Sequence, residues 1–267
     1  MIVDRALSFD AWAGDYDRFR PGYPDELFDE IARRLELPEH PQVVDLGAGT
    51  GRAALAMAER GWRVTAVEPG HAMLDVLRAR ASDAGLLVAT RQASAEATGL
   101  APGSVDLVAA AQSFHWFDQD RAVAEMARVV RPGGGVALFW NVRDEEASPF
   151  VADYHQLLEE RFGGADTGRY LQAGRPGGQE RTRQAFEGLS SFAPLEKVEL
   201  RHELVMSAEE FMGMAFTASY VRALPDDEQM RFRTDLAALL ADHGHAEMQA
   251  LTVPYRVDLW ITQRSEA

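Results

Sequence analysis

The sequence contains no cysteine. That excludes a disulfide framework and any thiolate-ligated metal, and it fits a reducing compartment, so a cytoplasmic location is expected. Long apolar runs are missing too: the apolar stretches are short and interrupted, far below the roughly 20 residues that cross a bilayer. The opening residues, MIVDRALSFDAWAGDYD, are acidic and hold no apolar segment of the signal-peptide kind, so no signal peptide is expected. Bases are few. Against 42 Asp and Glu stand 27 Lys and Arg, a formal charge of −15. The excess is shared almost evenly by 1–145 and 146–267, so it is no acidic tail, and a field of that sign repels polyanions. Neither nucleic acid nor a membrane is an expected partner. What remains, 46% apolar and 26% charged residues, is the composition of a folded globular chain. Its length suits one large domain, or one domain carrying an insertion.

Strand-like and helix-like segments alternate from residue 43. Val43 and Val44 lead into a glycine-rich turn, GRAALAMAERG reads as a helix stopped by Gly61, and WRVTAVEP (62–69) has strand composition. HAMLDVLRARASDAG (71–85) has helical spacing. Strands are expected in LLVATRQ, at 105–112 and at 135–142, with a helix at 121–130 closed by Pro132 and three glycines. Short joints between alternating elements predict an α/β fold with a mostly parallel sheet. Residues 1–40 form an N-terminal helical cover and 41–147 the core. An insertion at 148–250 contains helices at 148–162 and 226–242, a strand at 196–206, and a helix opened by the capping pair Ser207 and Glu210. A last strand at 251–263, within 251–267, returns to the core.

The most informative segment is DLGAGTGR, 45–52, between a strand and a helix. Gly47, Gly49 and Gly51 let the backbone approach a ligand, and the helix N-terminus that follows favours negative charge. The spacing is neither the G-x-G-x-x-G of dinucleotide enzymes nor a phosphate-binding P-loop. Asp45 before the glycines would repel a pyrophosphate but can receive an ammonium. Glu68, at the end of the next strand, is placed to accept both hydroxyls of a ribose.

VVDLGAGTGRAALAMAERGWRVTAVEP, ASAEATGLAPGSVDLVAAAQSFHWFD and VVRPGGGVALFWN, in that order, resemble the class I S-adenosylmethionine-dependent methyltransferases. FDAWAGDYDRFRPGYP and QSFHWFD are similar to a small-molecule branch that includes the trans-aconitate methyltransferase type. The resemblance implies a Rossmann-like, seven-stranded, mostly parallel sheet with an antiparallel last strand, here 251–263, plus a helical cap. It implies S-adenosylmethionine as cofactor, S-adenosylhomocysteine as product and a small-molecule acceptor. Carried over, Gly47, Ala48 and Gly49 line the methionine moiety with Asp45 behind it, and Thr50 and Gly51 complete the turn. Glu68 takes the ribose, Pro69 and Met73 flank the adenine, and Ser94, Ala95 and Glu96 meet its edge. Many members have Asp where this chain has Ser94. Gln112 faces the methionine side, and Tyr16 and Arg20 close over the cofactor carboxylate, a task suited to the fixed fork of an Arg.

His115 is the one candidate catalytic base at the mouth of the sheet, although it fits equally a role in orienting Trp116. Trp12, Trp116, Phe117 and Trp140 are candidates for an aromatic cage, and with Asn141 for acceptor binding. Arg169, Arg175, Arg181 and Arg183 form a local basic cluster, read either as an anion-recruiting lid or as solvated loop charges. His202, His243 and His245 lack the spacing of a zinc site, so no metal is expected. Methyl transfer by in-line displacement is the expected reaction. A cofactor-binding protein that rearranges or cyclises its substrate, or serves as a partner subunit, is the alternative. The sequence carries no sign of oligomeric state or of whether O, N or C is methylated.

Overall fold

The computed structural model describes residues 19–163, 176–245 and 250–266. Helix α1 (Asp25–Arg34) has acids in its first turn and arginines in its last, matching the helix dipole, and buries Leu27, Phe28 and Ile31. Then come β1 (Gln42–Leu46), α2 (Arg52–Glu59), β2 (Arg63–Val67), α3 (His71–Asp83), β3 (Val88–Arg91) and β4 (Val105–Ala111). After a 3₁₀ turn at Phe114–Trp116, α4 (Gln119–Val129) runs straight into β5 (Val130–Arg143). The remainder is α5 (Pro149–Phe162), α6 (Pro176–Phe186), β6 (Glu196–Ser207), α7 (Ala208–Phe216), α8 (Ser219–Arg222), α9 (Asp226–Asp242) and β7 (Ala250–Gln263).

The seven strands form one sheet in the order β3-β2-β1-β4-β5-β7-β6. β1 to β5 pair in parallel, and β7 lies antiparallel between β5 and β6. This is the seven-stranded sheet with a reversed last strand that the family resemblance implied. Period-two alternation sends Leu107, Ala109, Ala137 and Phe139 to a face covered by α1 and α2. Val108, Ala110, Val136 and Leu138 go to the opposite face, covered by α4. A third core joins α5, α7 and α9 to Leu251, Val253 and Tyr255 of β7. The first half of β7 therefore anchors the cap and its second half the sheet. Pro254 is tolerated there because its carbonyl, and so its missing N–H, faces Asp144, one residue past the last β5 pair.

Two local expectations are corrected. The glycines at 133–135 do not stop a helix: Val130 turns to an extended conformation at once and pairs with Val105, and the strand bulges before pairing resumes at Gly135. A Cβ on Gly134 would lie 2.6 Å from the Asp106 carbonyl oxygen, and one on Gly135 2.4 Å from Leu35, so close packing is what demands glycine. In the glycine-rich stretch after 163, α6 forms where no element was expected. It is held by i,i+3 and i,i+4 pairs of Arg183 with Glu180 and Glu187 and by burial of Phe186.

Candidate active site

The glycine loop joins β1 to α2 at the carboxyl end of the parallel strands, and its three glycines do different work. Gly47, Gly49 and Gly51 all have positive φ. A Cβ on Gly47 would lie 2.7 Å from Ser113 Cβ, so here the loop is pressed against the end of β4. A Cβ on Gly51 would lie 2.6 Å from Leu77 Cγ, so here α2 and α3 close on each other. Around Gly49 no atom of the described residues comes within 4 Å of that position. The open space there is the approach to the loop backbone that a ligand needs.

Glu68 holds this geometry from the next strand. Its Oε2 accepts from the Gly49 N–H at 3.0 Å and its Oε1 from the Gly70 N–H at 2.9 Å, and the side chain is buried. A carboxylate has about four lone-pair sites, so it can accept further hydrogen bonds while fixing these two amides. Asp45, completely buried under α2, has no hydrogen bond of good geometry on either oxygen. Burial and then the charge of Glu68 push its pKa up to about 8, opposed by the Ala54 amide. At neutral pH the unliganded protein thus keeps Asp45 protonated.

That inversion has a measurable sign. A carboxyl with a raised folded-state pKa favours the fold fully below its ordinary value near 4 and loses that contribution as pH rises to about 8. The melting temperature of the protein without ligand should therefore fall relative to Asp45→Asn across that window, by the equivalent of about a few kcal/mol at most. Parallel melting curves would reject the assignment.

A cavity of about 490 Å³ opens at this end of the sheet. Of the residues anticipated from sequence, it is lined by Arg20, Gly47, Ala48, Gly49, Thr50, Glu68, Pro69, Met73, Ser94, Ala95, Glu96, Gln112, Trp116 and Phe117. The Thr50 hydroxyl is buried with no hydrogen-bond partner among the described residues. Glu96 Oε1 accepts from the Asp118 N–H at 2.9 Å and ties two walls together. Gln112 has φ +55°, an uncommon conformation for a side-chain-bearing residue, and its amide donates to the Asn141 carbonyl at 3.1 Å. Arg20 Nε donates to the Thr217 hydroxyl at 3.0 Å and so links the cavity to the cap.

Other anticipated residues do not line this cavity. Asp45 and Gly51 lie beneath the loop, and Trp140 is buried in β5. Its indole N–H points to His115 Nδ1 at a long 3.4 Å. Indole can only donate, so His115 accepts there and a neutral ring carries its proton on Nε2. Burial lowers the His115 pKa to about 4. Asn141 donates to the Gly22 carbonyl at 2.8 Å and meets His202 Nε2 at 3.2 Å. Trp12, Tyr16, Arg169 and Arg175 lie outside the described residues. Arg183 is exposed and ion-paired with Glu180 and Glu187. Among the described residues no helix is long and apolar enough to cross a membrane, and no group of His, Asp and Glu is arranged to hold a metal.

Sequence reasoning missed the lining residues Pro21, Tyr23, Arg52, Ala53, Ala111, Ser113, Asp118 and Arg121. Ser113, Arg52 and Asp118 adjoin or cap segments that had been singled out. Tyr23 and Pro21 lie in FDAWAGDYDRFRPGYP, but the place of Tyr23 depends on its edge-on contact with Phe139, 4.9 Å between centroids.

An open α/β sheet of this order, with a glycine loop after its first strand and a buried acid after its second, is an arrangement found in nucleoside-binding α/β folds. Residues 44–138 match the family described as methyltransferase domain. An uncharacterised methyltransferase of Mycobacterium tuberculosis is 34% identical over 94% of this chain and 93% of its own. A solved protein of Anaeromyxobacter dehalogenans, described as a type II methyltransferase, is 29% identical with a TM-score of 0.66, covering 91% of this chain and 97% of its own. A Haemonchus contortus phosphoethanolamine N-methyltransferase, solved with phosphomonomethylethanolamine and S-adenosylhomocysteine, shares the fold at TM-score 0.55 and 14% identity, covering 99% of this chain and 59% of its own. The chain belongs to the class I S-adenosylmethionine-dependent methyltransferases.

Proposed function

We propose that this enzyme binds S-adenosylmethionine in the 490 Å³ cavity and transfers its methyl group to a small-molecule acceptor approaching from the cap side. The observation that carries the reading is the open space over Gly49, facing a Glu68 carboxylate that the loop amides hold in place. The volume lies in the range of pockets that enclose a ligand of this size. When bound, the cofactor supplies a methyl group on a cationic sulfur.

The chain's own residues then have the following work. Glu68 accepts from the ribose hydroxyls while keeping the loop closed. Pro69 and Met73 pack against the adenine, with Ser94, Ala95 and Glu96 at its edge. Gln112 and Arg20 orient the methionine end, and Asp45 beneath the loop supplies a carboxyl that a cation above it would help to ionise. The cap excludes water and aligns the acceptor. Alignment alone can supply about 7–11 kcal/mol of the barrier, so a strong protein base is not required. His115 fits a positioning role: it holds Trp140 and presents Nε2–H as a donor. A ring with a pKa of about 4 is poorly matched to taking a proton at neutral pH.

Calorimetric titration with S-adenosylhomocysteine tests the cofactor. Release of that product from S-adenosylmethionine, across a panel of acids, phenols and amines, tests the transfer. No heat in the first experiment sinks the cavity assignment. Turnover only with macromolecular substrates sinks the small-molecule reading. Once an acceptor is in hand, His115→Ala should leave the shape of the rate profile between pH 6 and 9 unchanged. Loss of a titration near pH 6.5 in the variant would instead make His115 the base.

A further inference from the structure

A second group of polar side chains gathers on the cap side of the cofactor cavity. Arg143 is the last residue of β5, at the carboxyl end of the parallel strands, where such sheets collect ligands. Its guanidinium lies 5.0 Å from the ring centre of Tyr154 on α5 and 6.0 Å from that of Phe211 on α7. Burial opposes its charge, while the hydroxyls of Tyr255, Tyr154 and Tyr220 favour it. Arg20, on the cavity wall, faces the same Tyr154 and Tyr220. The tyrosines thus stand between two guanidinium groups, one of which reaches the cofactor cavity.

No carboxylate completes the set. Among the described residues Arg143 forms no salt bridge, and its buried Nε has no hydrogen-bond partner. The Tyr154 hydroxyl, on a side chain with no exposed surface, also lacks a partner of good geometry, although Tyr220 is its neighbour. Tyr255 donates its hydroxyl to the Met214 sulfur at 3.3 Å, a weak acceptor, and its oxygen accepts from the Arg143 guanidinium. Burial raises the pKa of Tyr154 and Tyr220, so both stay neutral donors. A buried guanidinium nitrogen and a buried hydroxyl without a partner of good geometry are costly to a fold. Arg143 and Tyr220 each keep part of their surface accessible, which leaves a way in.

We propose that Arg143, Tyr154 and Tyr220 form the binding site for a carboxylate on the methyl acceptor, with the rest of the acceptor directed past Arg20 to the cofactor cavity. A single planar guanidinium matches a carboxylate in charge and in shape, whereas a phosphate monoester brings nearly two charges into a site that neutralises about one. This inference rests on the reading of the cavity as a methyltransferase site with a small acceptor.

The test is calorimetry on the full chain, with and without saturating S-adenosylhomocysteine, at constant ionic strength. The probes are sodium glutarate and sodium benzoate, with glutaramide and benzamide as neutral counterparts. At least one carboxylate should bind where its amide does not. Arg143→Met should weaken that binding by about tenfold or more while leaving the affinity for S-adenosylhomocysteine unchanged. Tyr154→Phe keeps the ring and removes a buried hydroxyl that has no partner of good geometry and only Tyr220 beside it, so its melting temperature should change little while carboxylate affinity falls. Equal binding of acid and amide, no carboxylate binding in either state, or an Arg143→Met variant that binds as the parent does overturns the site. Failure of S-adenosylhomocysteine to bind is a separate result and falls on the cofactor reading.

Discussion

Gly51→Ala should cost the protein much of its stability, while Gly49→Ala should leave it folded but unable to hold its cofactor. At Gly51 the new methyl meets Leu77 Cγ at 2.6 Å and Cδ1 at 3.0 Å, and Leu77 is completely buried, so neither side can yield easily. Backbone strain at φ +87° adds to the overpacking. Together these predict a loss of about 2–5 kcal/mol, a fall in melting temperature of roughly 5–15 °C. At Gly49 the methyl meets no atom of the described residues and φ +55° is an ordinary left-handed value, so the cost to stability is only about 1 kcal/mol. The same methyl stands in the space assigned to the ligand. S-adenosylhomocysteine affinity should drop by at least about tenfold in a variant that still melts cooperatively. Parent-like binding by Gly49→Ala would mean the open space belongs to no ligand.

Glu68→Ala should weaken S-adenosylhomocysteine binding by roughly 10- to 150-fold, the equivalent of about 1.5–3 kcal/mol for lost charged hydrogen bonds. Two effects combine in that figure. The carboxylate is expected to accept from the ribose, and it also fixes the Gly49 and Gly70 amides. A cycle separates them: an analogue lacking the ribose 2′-hydroxyl should bind the parent more weakly than S-adenosylhomocysteine does, and the difference should vanish in Glu68→Ala. A difference that persists in the variant would assign the ribose to another residue. Glu68→Gln removes the charge that helps raise the pKa of Asp45, so the pH window over which Asp45 destabilises the fold should narrow.

Local chemistry made much of this readable in the sequence. Ser207 and Glu210 form the expected reciprocal capping box, because such a cap needs only residues three apart. Helix α9 spans Asp226–Asp242 as its spacing predicted, and the strand at 251–263 is β7 with one more residue, Ala250. The start of β5 was not readable. Pro132 and three glycines look like a stop, and only the neighbouring Asp106 carbonyl and Leu35 show that they are a strand packed too closely for side chains. Helix α6 was hidden for a similar reason: its glycine-rich opening argues against a helix, and burial of Phe186 against the sheet overrides that local preference.

What the sequence determined by itself was the cofactor end of the molecule. One strand, one loop and the next strand lie within residues 42–70, so the glycines and Glu68 come together by chain connectivity alone. The tertiary structure decided which glycine has open space around it, that Asp45 is buried with its pKa raised, and that Trp140 occupies His115 Nδ1. It also decided that Arg20, Arg143, Tyr154 and Tyr220, scattered over 200 residues of chain, share one seam between sheet and cap. Those facts depend on burial and on contacts between distant segments, and neither is written in any local pattern of residues.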